Sequence, residues 1–326
     1  MISVIIPTRN RADLLAQALE SISSQSLDSS AFEVIVVDNG STDATSSVIE
    51  SYQGHIRNLV GIYTPEPGLH NGRHAGMLSA RGEILVFADD DIEALPTWLE
   101  SIAEAFQDAD VAMVGGNNYP KFLEEPPLWL KRLWQRSDAQ GYHFIPSLSV
   151  IEFTRVPGDI SPYLVWGCNF SIRKDVLLQA GGFHPDGMPQ ELIRFRGDGE
   201  THVSRFVENS KMRCVFHPGA SVFHKVTPER MTFRYFYQRG YSQGVSDSFT
   251  SLRENQPDVA PKSMVIFFRR AAGFAVRKIS DLMSGRDLRM ALAELKKGHK
   301  AGFSYHQKAY REDPEVRAWV HRSVYY

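Results

Sequence analysis

Short apolar runs alternate with amphipathic stretches along the first 116 residues of this chain. The apolar runs have the character of buried strands, the first of them ending before Pro7, and cover residues 2–6, 34–37, 59–63, 84–88 and 111–114. Between them, apolar side chains recur at helical spacing over residues 11–26, 70–81 and 96–106. Repeated strand–helix–strand units predict an α/β fold with a Rossmann-like, mostly parallel sheet and helices on both faces.

The alternation becomes irregular after residue 116. Prolines and aromatic residues punctuate residues 117–230, and we interpret this section as an elaboration packed on the same core. Residues 231–326 have helical character. They predict a helical appendage at the C-terminal end of the chain.

Polar side chains follow three of the predicted strands. Thr8, Arg9, Asn10 and Arg11 follow the first strand, Asp38 follows the second, and Asp89, Asp90 and Asp91 follow the fourth. The carboxyl ends of parallel strands meet at one edge of a sheet, and ligands bind outside that edge. The sequence therefore predicts one polar site built from all three strand ends.

The three consecutive carboxylates of Asp89, Asp90 and Asp91 repel one another unless a cation neutralises them. Because alternate residues of an extended chain point the same way, Asp89 and Asp91 are expected to face one side. Two carboxylates that leave room for water and a phosphate suit Mg²⁺ or Mn²⁺. The alternative is a solvated acidic turn before the helix near Pro96. Asp38 likewise either accepts from a nucleobase or ribose, or forms an Asx-turn or a helix cap.

Charge divides the chain into two parts. The 326 residues hold 36 Lys and Arg against 38 Asp and Glu, which argues against a generic polyanion binder, so no nucleic-acid partner is expected. Residues 262–326, however, hold 14 Lys and Arg against 6 Asp and Glu. A basic tail thus follows an acidic body. Within the tail, residues 264–282 predict a basic amphipathic helix, which either lies on an anionic membrane or packs on the domain.

Cysteine content and hydropathy bear on the location of the protein. Cys168 and Cys214 lack the spacing of a disulfide framework or a metal site and are expected to be buried. No apolar run approaches the ~18 residues of a membrane span, and the first residues lack the features of a signal peptide. These features predict a cytoplasmic protein, with peripheral contact at the inner face of the membrane through the basic C-terminal helices left open.

Five blocks of sequence resemble glycosyltransferase family 2, whereas the Gly-rich loops of dinucleotide-binding domains and P-loops are absent. The blocks are VIIPTRNR (4–11), VVDNGSTD (36–43), ARGEILVFADDD (80–91), WGCNFSIR (166–173) followed by GGF (181–183), and HPGASVFH (217–224). The resemblance covers about residues 2–245. It implies an inverting, nucleotide-sugar-dependent enzyme with the A-type glycosyltransferase fold.

The resemblance also implies roles for single residues. Pro7 and Thr8 would line the base pocket, and Asp38 would pair with the base, most often uracil. Arg73 would reach the diphosphate or the donor sugar. Asp89 and Asp91 would hold Mn²⁺ or Mg²⁺, with His224 as a third ligand or else a buried structural histidine. The nucleotide-sugar site is accordingly expected to include Pro7, Thr8, Arg9, Arg11, Asp38, Arg73, Asp89 and Asp90.

Inverting transfer requires a carboxylate base that removes a proton from the acceptor hydroxyl. The family's base lies after the Gly-Gly-Phe segment, where this chain reads RGDGET (196–201). We favour Glu200, with Asp198 as the alternative. The family more often has Glu-Asp here, and this departure leaves the choice between the two carboxylates open. Both carboxylates could instead face the dipole of a helix N-terminus. The neighbouring arginines Arg194, Arg196 and Arg205 are expected to form a solvated face, with binding of an acidic acceptor or a lipid-linked phosphate as the alternative.

The sequence thus predicts a metal-dependent inverting glycosyltransferase of polysaccharide biosynthesis. It would move a sugar from a nucleotide-diphosphate donor, expected to be UDP-linked, to a hydroxyl of a glycan or glycolipid. A sugar-phosphate nucleotidyltransferase and a glycan-binding module on an inactive transferase scaffold remain as alternatives. The predicted division is a catalytic domain over 1–245, with a nucleotide-binding half (1–116) and an acceptor-side half (117–245), and a helical extension over 246–326.

Overall fold

The computed structural model describes residues 1–138, 140–154, 158–254 and 285–326. Their strands are β1 (Ile2–Thr8), β2 (Phe32–Asp38), β3 (Leu59–Tyr63), β4 (Ile84–Ala88), β5 (Ile92–Ala94), β6 (Val111–Gly115), β7 (Asn118–Phe122), β8 (His143–Ile145), β9 (Val150–Glu152), β10 (Asn169–Arg173), β11 (Arg213–Phe216) and β12 (Val222–Val226). Their α-helices are α1 (Ala12–Ser23), α2 (Thr45–Tyr52), α3 (Leu69–Ser79), α4 (Trp98–Ala105), α5 (Leu128–Trp134), α6 (Lys174–Gln179), α7 (Glu200–Asn209), α8 (Phe233–Arg253), α9 (Gly285–Glu312) and α10 (Pro314–Val320).

A seven-stranded sheet in the order β11-β6-β10-β4-β1-β2-β3 forms the centre of the fold. Among its described strands, β10 alone runs antiparallel to its neighbours. Successive residues of β1 enter opposite cores: Val4 and Ile6 pack with α1 and α4, and Ile5 packs with α3 and α6. Burial on both faces explains the continuous apolar runs, and it confirms the predicted mostly parallel sheet between two layers of helices.

The first strand continues through Pro7 rather than ending before it. The carbonyl of Thr8 accepts from the backbone N–H of Asn39, so Thr8 faces β2 and the nitrogen of Pro7 faces the other side. On that side the pairing of β1 with β4 ends at Ile5. Proline is compatible with the strand because its missing N–H falls beyond the paired part of β4.

A second sheet has the order β5-β12-β7-β9-β8, and all of its strands except β5 come from the predicted acceptor-side half. Its short strand β5 begins directly after Asp91, and β12 pairs with it in antiparallel fashion, so that His224 lies opposite Ile92. This register places the end of β4 beside the middle of β12. The two sheets meet where the predicted metal ligands lie.

The C-terminal helices α8 and α9 pack with their backbones in contact. Added Cβ atoms on Gly240 and Gly244 of α8 would overlap backbone atoms of α9, and those on Gly298 and Gly302 of α9 would overlap backbone atoms of α8. The helical C-terminal appendage is therefore confirmed for the described residues. The predicted division after residue 245 falls within α8 and stays a prediction.

The basic amphipathic helix predicted over 264–282 lies outside the described residues, so the predicted membrane contact stays a prediction as well. Within the described part of the chain, no helix combines the length and the apolar character needed to cross a membrane. Cys168 and Cys214 are both buried and unbridged, in agreement with the expectation from their spacing.

Candidate active site

Thr8 and Arg11, which follow β1, contact the carboxylates that follow β4. The Thr8 hydroxyl donates to Asp90 Oδ2 at 2.7 Å. The Arg11 guanidinium lies 2.7 Å from Asp90 Oδ1 and 2.8 Å from Asp91 Oδ2. Burial raises the pKa of Asp90 to about 7, and Arg11 opposes that rise. The carboxyl ends of β1 and β4 thus form one polar centre, as the strand pattern predicts.

Asp89, Asp91 and His224 form a group that could hold a metal ion. One possible ligand atom from each of the three lies within 4.8 Å of the others. Asp90, between the two aspartates, turns instead toward Thr8. The alternation of side chains expected for an extended segment is therefore present. Burial raises the pKa of Asp91, but His224, Arg11 and Arg230 outweigh it and hold that pKa well below its usual range.

The tautomer of His224 fits a metal ligand. Its Nδ1 lies 2.9 Å from the Leu148 carbonyl oxygen, which can only accept, so Nδ1 carries the proton. In the neutral ring, Nε2 then presents a lone pair 3.2 Å from Asp91 Oδ1, an oxygen without a hydrogen bond from the described residues. Either a proton on Nε2 or a metal ion between the two atoms makes this approach favourable. Two carboxylates and an imidazole suit Mn²⁺ or Mg²⁺.

Arg73 of α3 joins the metal-ligating group to the predicted base. Its guanidinium lies 3.5 Å from Asp89 Oδ1 and 3.8 Å from Glu200 Oε2, and its side chain is only 4% exposed. Close packing puts it there: a Cβ on Gly72 would stand 2.8 Å from Pro7 Cβ, and a Cβ on Gly167 would overlap the guanidinium. A buried, permanently charged group thus faces both acidic parts of the site.

Asp198 and Glu200 differ sharply in their surroundings. Asp198 is buried, and its carboxylate accepts from His184 Nδ1 at 2.5 Å, Arg205 at 3.1 Å and Thr250 Oγ1 at 2.8 Å. Burial raises its pKa, but His184 and Arg205 hold that pKa well below its usual range. Glu200, by contrast, has a side chain 33% exposed. Its Oε1 accepts one long bond of 3.4 Å from the Gly167 N–H.

Asp38 and Arg9 lie on the nucleotide side of this edge. Asp38 is buried at the end of β2, and its Oδ1 accepts from the Ser41 N–H at 2.8 Å. This bond reaches three residues along the chain, one more than in an Asx-turn, so it supports the turn after β2 and leaves the role of Asp38 a prediction. Arg9 is exposed and lines a pocket of about 490 Å³; the other lining residues are Asn10, Pro67, Pro189, Glu191 and Leu192.

Sequence reasoning missed two charged residues of the site. Arg230, after β12, lies 3.3 Å from Asp91 Oδ2. Asp186 is buried near Arg73, Arg196 and Glu200, and burial raises its pKa to about 6. Nothing in the local sequence of either residue signals this position. Asp186 does lie in the same loop as the predicted base, so its place in that loop could have suggested that its carboxylate belongs to the site.

The expected solvated face of arginines is wrong for Arg196 and Arg205. Arg196 donates to the backbone carbonyl of Asp186 and to Ser246 Oγ. Arg205 forms ion pairs with Asp198 and Glu254. Both side chains are partly buried, because the carbonyl, hydroxyl and carboxylate oxygens around them accept from their guanidinium groups. Only Arg194 of the three is exposed.

Comparison with known proteins identifies a family match over more than half of the chain. The model of the family described as "Glycosyl transferase family 2" matches residues 3–178. Validoxylamine A glucosyltransferase of Streptomyces hygroscopicus subsp. jinggangensis is 31% identical over 206 residues, 57% of this chain and 47% of that protein. Glycosyltransferase AglE of Haloferax volcanii is 35% identical over 117 residues, 36% of this chain and 38% of that protein. These alignments span less than half of either relative.

A third relative aligns over a larger share. Glucosyl-dolichyl phosphate glucuronosyltransferase of Haloferax volcanii is 24% identical over 262 residues, 76% of this chain and 77% of that protein. Among solved structures, S. aureus TarS 1-349 in complex with UDP has a TM-score of 0.50 at 17% identity and covers 95% of this chain and 91% of that one.

The mannosyltransferase PcManGT from Pyrobaculum calidifontis, in complex with GDP-Man and Mn²⁺, has a TM-score of 0.52 at 20% identity. That match covers 99% of this chain and 83% of the other. At these identities the likeness concerns the fold. It confirms the predicted A-type glycosyltransferase architecture.

Proposed function

We propose that this chain, which belongs to glycosyltransferase family 2, transfers a sugar from a nucleotide-diphosphate donor to a hydroxyl of a glycan or glycolipid. The chain is a glycosyltransferase; the UDP-linked donor, the divalent metal, the inversion and the acceptor class make up the proposal. One observation carries it. Asp89, Asp91, His224, Arg73 and Glu200 converge at one edge of the sheets.

The donor would lie along the carboxyl ends of β1, β2 and β4. Asp89, Asp91 and His224 would hold Mn²⁺ or Mg²⁺, and this metal, when bound, neutralises the charge on the donor diphosphate. Arg73, 3.5 Å from Asp89, would stabilise the charge that the leaving diphosphate gains. Two solved structures of this fold, one in complex with UDP and one with GDP-Man and Mn²⁺, support a nucleotide-bound donor and a metal.

The base of the donor would lie beside β1 and β2. Pro7, Thr8 and Asp38 would form the wall of its pocket, with Arg9 and Arg11 at the rim. Asp90 would keep Thr8 and Arg11 in place, because it bonds to both. This arrangement uses every residue that the sequence predicts for nucleotide-sugar binding.

The transfer itself would be a single displacement at the anomeric carbon. The acceptor oxygen forms a bond to that carbon as the bond to the diphosphate oxygen breaks, and the proton of the acceptor hydroxyl passes to Glu200. Glu200 suits this role because it is partly exposed and faces Arg73. Asp198 suits it poorly, since three donors already occupy its carboxylate.

The acceptor is proposed on the names of the relatives. One relative is named for a sugar transfer to validoxylamine A and another for a transfer to a glucosyl-dolichyl phosphate. Both names describe a hydroxyl-bearing acceptor, the second of them lipid-linked. We therefore place this chain in the synthesis of polysaccharides or glycolipids.

A direct test incubates the protein with a panel of UDP-sugars, Mn²⁺ and glycan or glycolipid acceptors. Release of UDP with a product of inverted anomeric configuration, seen by NMR, is the expected result. Release of pyrophosphate from a nucleoside triphosphate and a sugar phosphate would favour the nucleotidyltransferase instead. Absence of metal-dependent nucleotide binding would favour a glycan-binding module on an inactive scaffold.

A further inference from the structure

The loop before α7 is held by the C-terminal helices residue by residue. Each of the five consecutive residues 194–198 bonds to α8 or to the segment around α10, and the base candidate Glu200 follows two residues later. The contacts are those of Arg194 with Asp313 and Glu315, Phe195 with Trp319, Arg196 and Gly197 with Ser246, and Asp198 with Thr250.

Two hydroxyl groups of α8 make the central contacts. Ser246 Oγ donates to the Gly197 carbonyl at 2.7 Å and accepts from Arg196 Nε at 2.8 Å. Thr250 Oγ1 donates to Asp198 Oδ2 at 2.8 Å. Both side chains are buried. Hydrogen bonds in such an environment are costly to leave unmade, so they fix the loop firmly.

A third contact comes from the indole of Trp319 in α10. Its Nε1 donates to the Phe195 carbonyl at 2.7 Å, and its ring packs on Phe195 and on His70 of α3. The helix that carries Arg73 is therefore braced by the same residue. The C-terminal helices contact both sides of the predicted reaction centre.

Next to the base, the loop has fixed points of its own besides those from the C-terminal helices, since Asp198 also bonds to His184 and Arg205. Its two ends are joined by backbone bonds from His184 to Gly199 and from Gly197 to Pro185. Gly199 adopts φ +54°, and no atom of the described residues lies within 4 Å of the place where its Cβ would stand. Glu200 is the first residue of α7, so its position depends on that helix together with what holds residues 194–198.

We propose that α8 and α10 position Glu200 for the transfer, with Ser246 and Thr250 as positioning residues that act through the loop 194–198. This inference rests on the proposed role of Glu200 as the base. It assigns the C-terminal helices a function inside the catalytic unit. A displacement of the base by about 1 Å can lower turnover about a hundredfold, so the loss of one tether is expected to reduce kcat about tenfold or more.

A matched pair of serines on α8 tests the proposal. Ser246→Ala removes the contact with the loop, whereas Ser248→Ala removes a buried hydroxyl that contacts His306 of α9 at 2.9 Å. We expect Ser246→Ala to lower kcat about tenfold with the donor KM unchanged, and Ser248→Ala to leave kcat close to that of the original protein. Equal kcat values for the two variants, whether lowered or not, would overturn the proposal.

Hydrogen exchange gives a readout that does not need activity. Ser246→Ala and Thr250→Val are expected to speed exchange of the amides of residues 195–201, and Thr250→Ser, which keeps the hydroxyl, is expected to restore slow exchange and kcat together. Unchanged exchange in both variants would contradict the tethering. If the original protein shows slow exchange but transfers no sugar, the proposed function fails while the tethering stands.

Discussion

The two acidic turns of the site, Asp89–Asp91 and Asp198–Glu200, are stabilised by different means. In the first, every carboxylate faces the reaction centre or its immediate supports: Asp90 contacts Thr8 and Arg11, and Asp89 and Asp91 share a possible metal position with His224. In the second, Asp198 is enclosed by three donors from its own half and from α8, and Glu200 alone faces Arg73.

This difference separates the carboxylates proposed to act in the reaction from the carboxylate that holds a turn in place. Three carboxylates can lie together at the end of β4 because Arg11, Arg73 and Arg230 surround them and a divalent cation would neutralise the remaining charge. At the start of α7, one carboxylate anchors the turn and leaves the other for the proposed proton transfer. A change in the first turn should therefore affect donor binding, and changes in the second should separate turnover from stability.

The largest effect is expected for Asp91→Asn. The amide has one oxygen and no charge, so Mn²⁺-dependent binding of UDP should fall below detection in calorimetry. Glu93→Gln is the matched control, since Glu93 lies two residues away and pairs with Lys121 at the surface. Binding by Asp91→Asn equal to that of the control would mean that the Asp89–Asp91 turn has no metal-binding role.

Glu200→Gln should remove the proposed base from the second turn and leave donor binding at the first turn unchanged. Loss of the base is expected to lower kcat by about 10²–10⁴-fold, while the affinity for UDP with Mn²⁺ stays unchanged. Steady-state kinetics and calorimetry on the same sample give both quantities. An active Glu200→Gln variant beside a folded but inactive Asp198→Asn variant would reverse the assignment of the base.

Asp198→Asn should instead affect stability. Removal of a buried charge from its partners His184 and Arg205 costs about 3–5 kcal/mol of the free energy of unfolding. Because the folded-state pKa of Asp198 is lowered, its stabilisation is complete above the unfolded pKa of about 4 and is lost as pH falls below it. The original protein should thus lose stability below pH ~4 more steeply than the variant.

Urea unfolding at several pH values measures this difference. Thr45→Val serves as a control, because it removes a hydroxyl that bonds to the surface-facing Asp43 and leaves the Asp198 turn intact. Parallel acid-unfolding curves for the original protein and Asp198→Asn would show that Asp198 does not anchor the turn.

The sequence predicts the first turn well because its signals are local. Each strand is a continuous apolar run, each polar group follows its strand directly, and a period of two separates Asp90 from Asp89 and Asp91. His224 came only from the family resemblance. Arg230, 139 residues from Asp91 in the chain, carries no local signal, since its position depends on how β12 pairs with β5 and β7.

The second turn could not be resolved from the sequence. Asp198 and Glu200 both lie at the start of a helix, and the difference between them is made by His184, Arg205 and Thr250, the last of them 52 residues after Asp198. The chain after residue 245 could be predicted as helical. Its contact with the loop that carries the proposed base could not, because the positive charge of this segment indicates only what its solvent-facing surface would bind. One signal was present and unused: glycines repeat with a spacing of four in α8 and in α9, at 240 and 244 and at 298 and 302.

Gly244→Ala makes the smallest change and tests that packing. A methyl group there would overlap the His299 carbonyl of α9, so α8 and α9 must separate slightly, at a cost of about 1–3 kcal/mol in the free energy of unfolding. Gly54→Ala is the matched control, because no described atom lies within 4 Å of its added methyl group. Thermal unfolding of both variants gives the comparison.

If α8 also positions Glu200, the shift of the helix should reach the loop 194–198 through Ser246 and Thr250. Gly244→Ala would then lower kcat several-fold at a temperature where the variant is fully folded, without a change in UDP binding, because Asp89 and Asp91 do not contact α8. A variant that loses stability but keeps its full kcat would show that the helix pair supports the fold alone. A parallel loss of UDP binding would show that the two acidic turns are mechanically coupled.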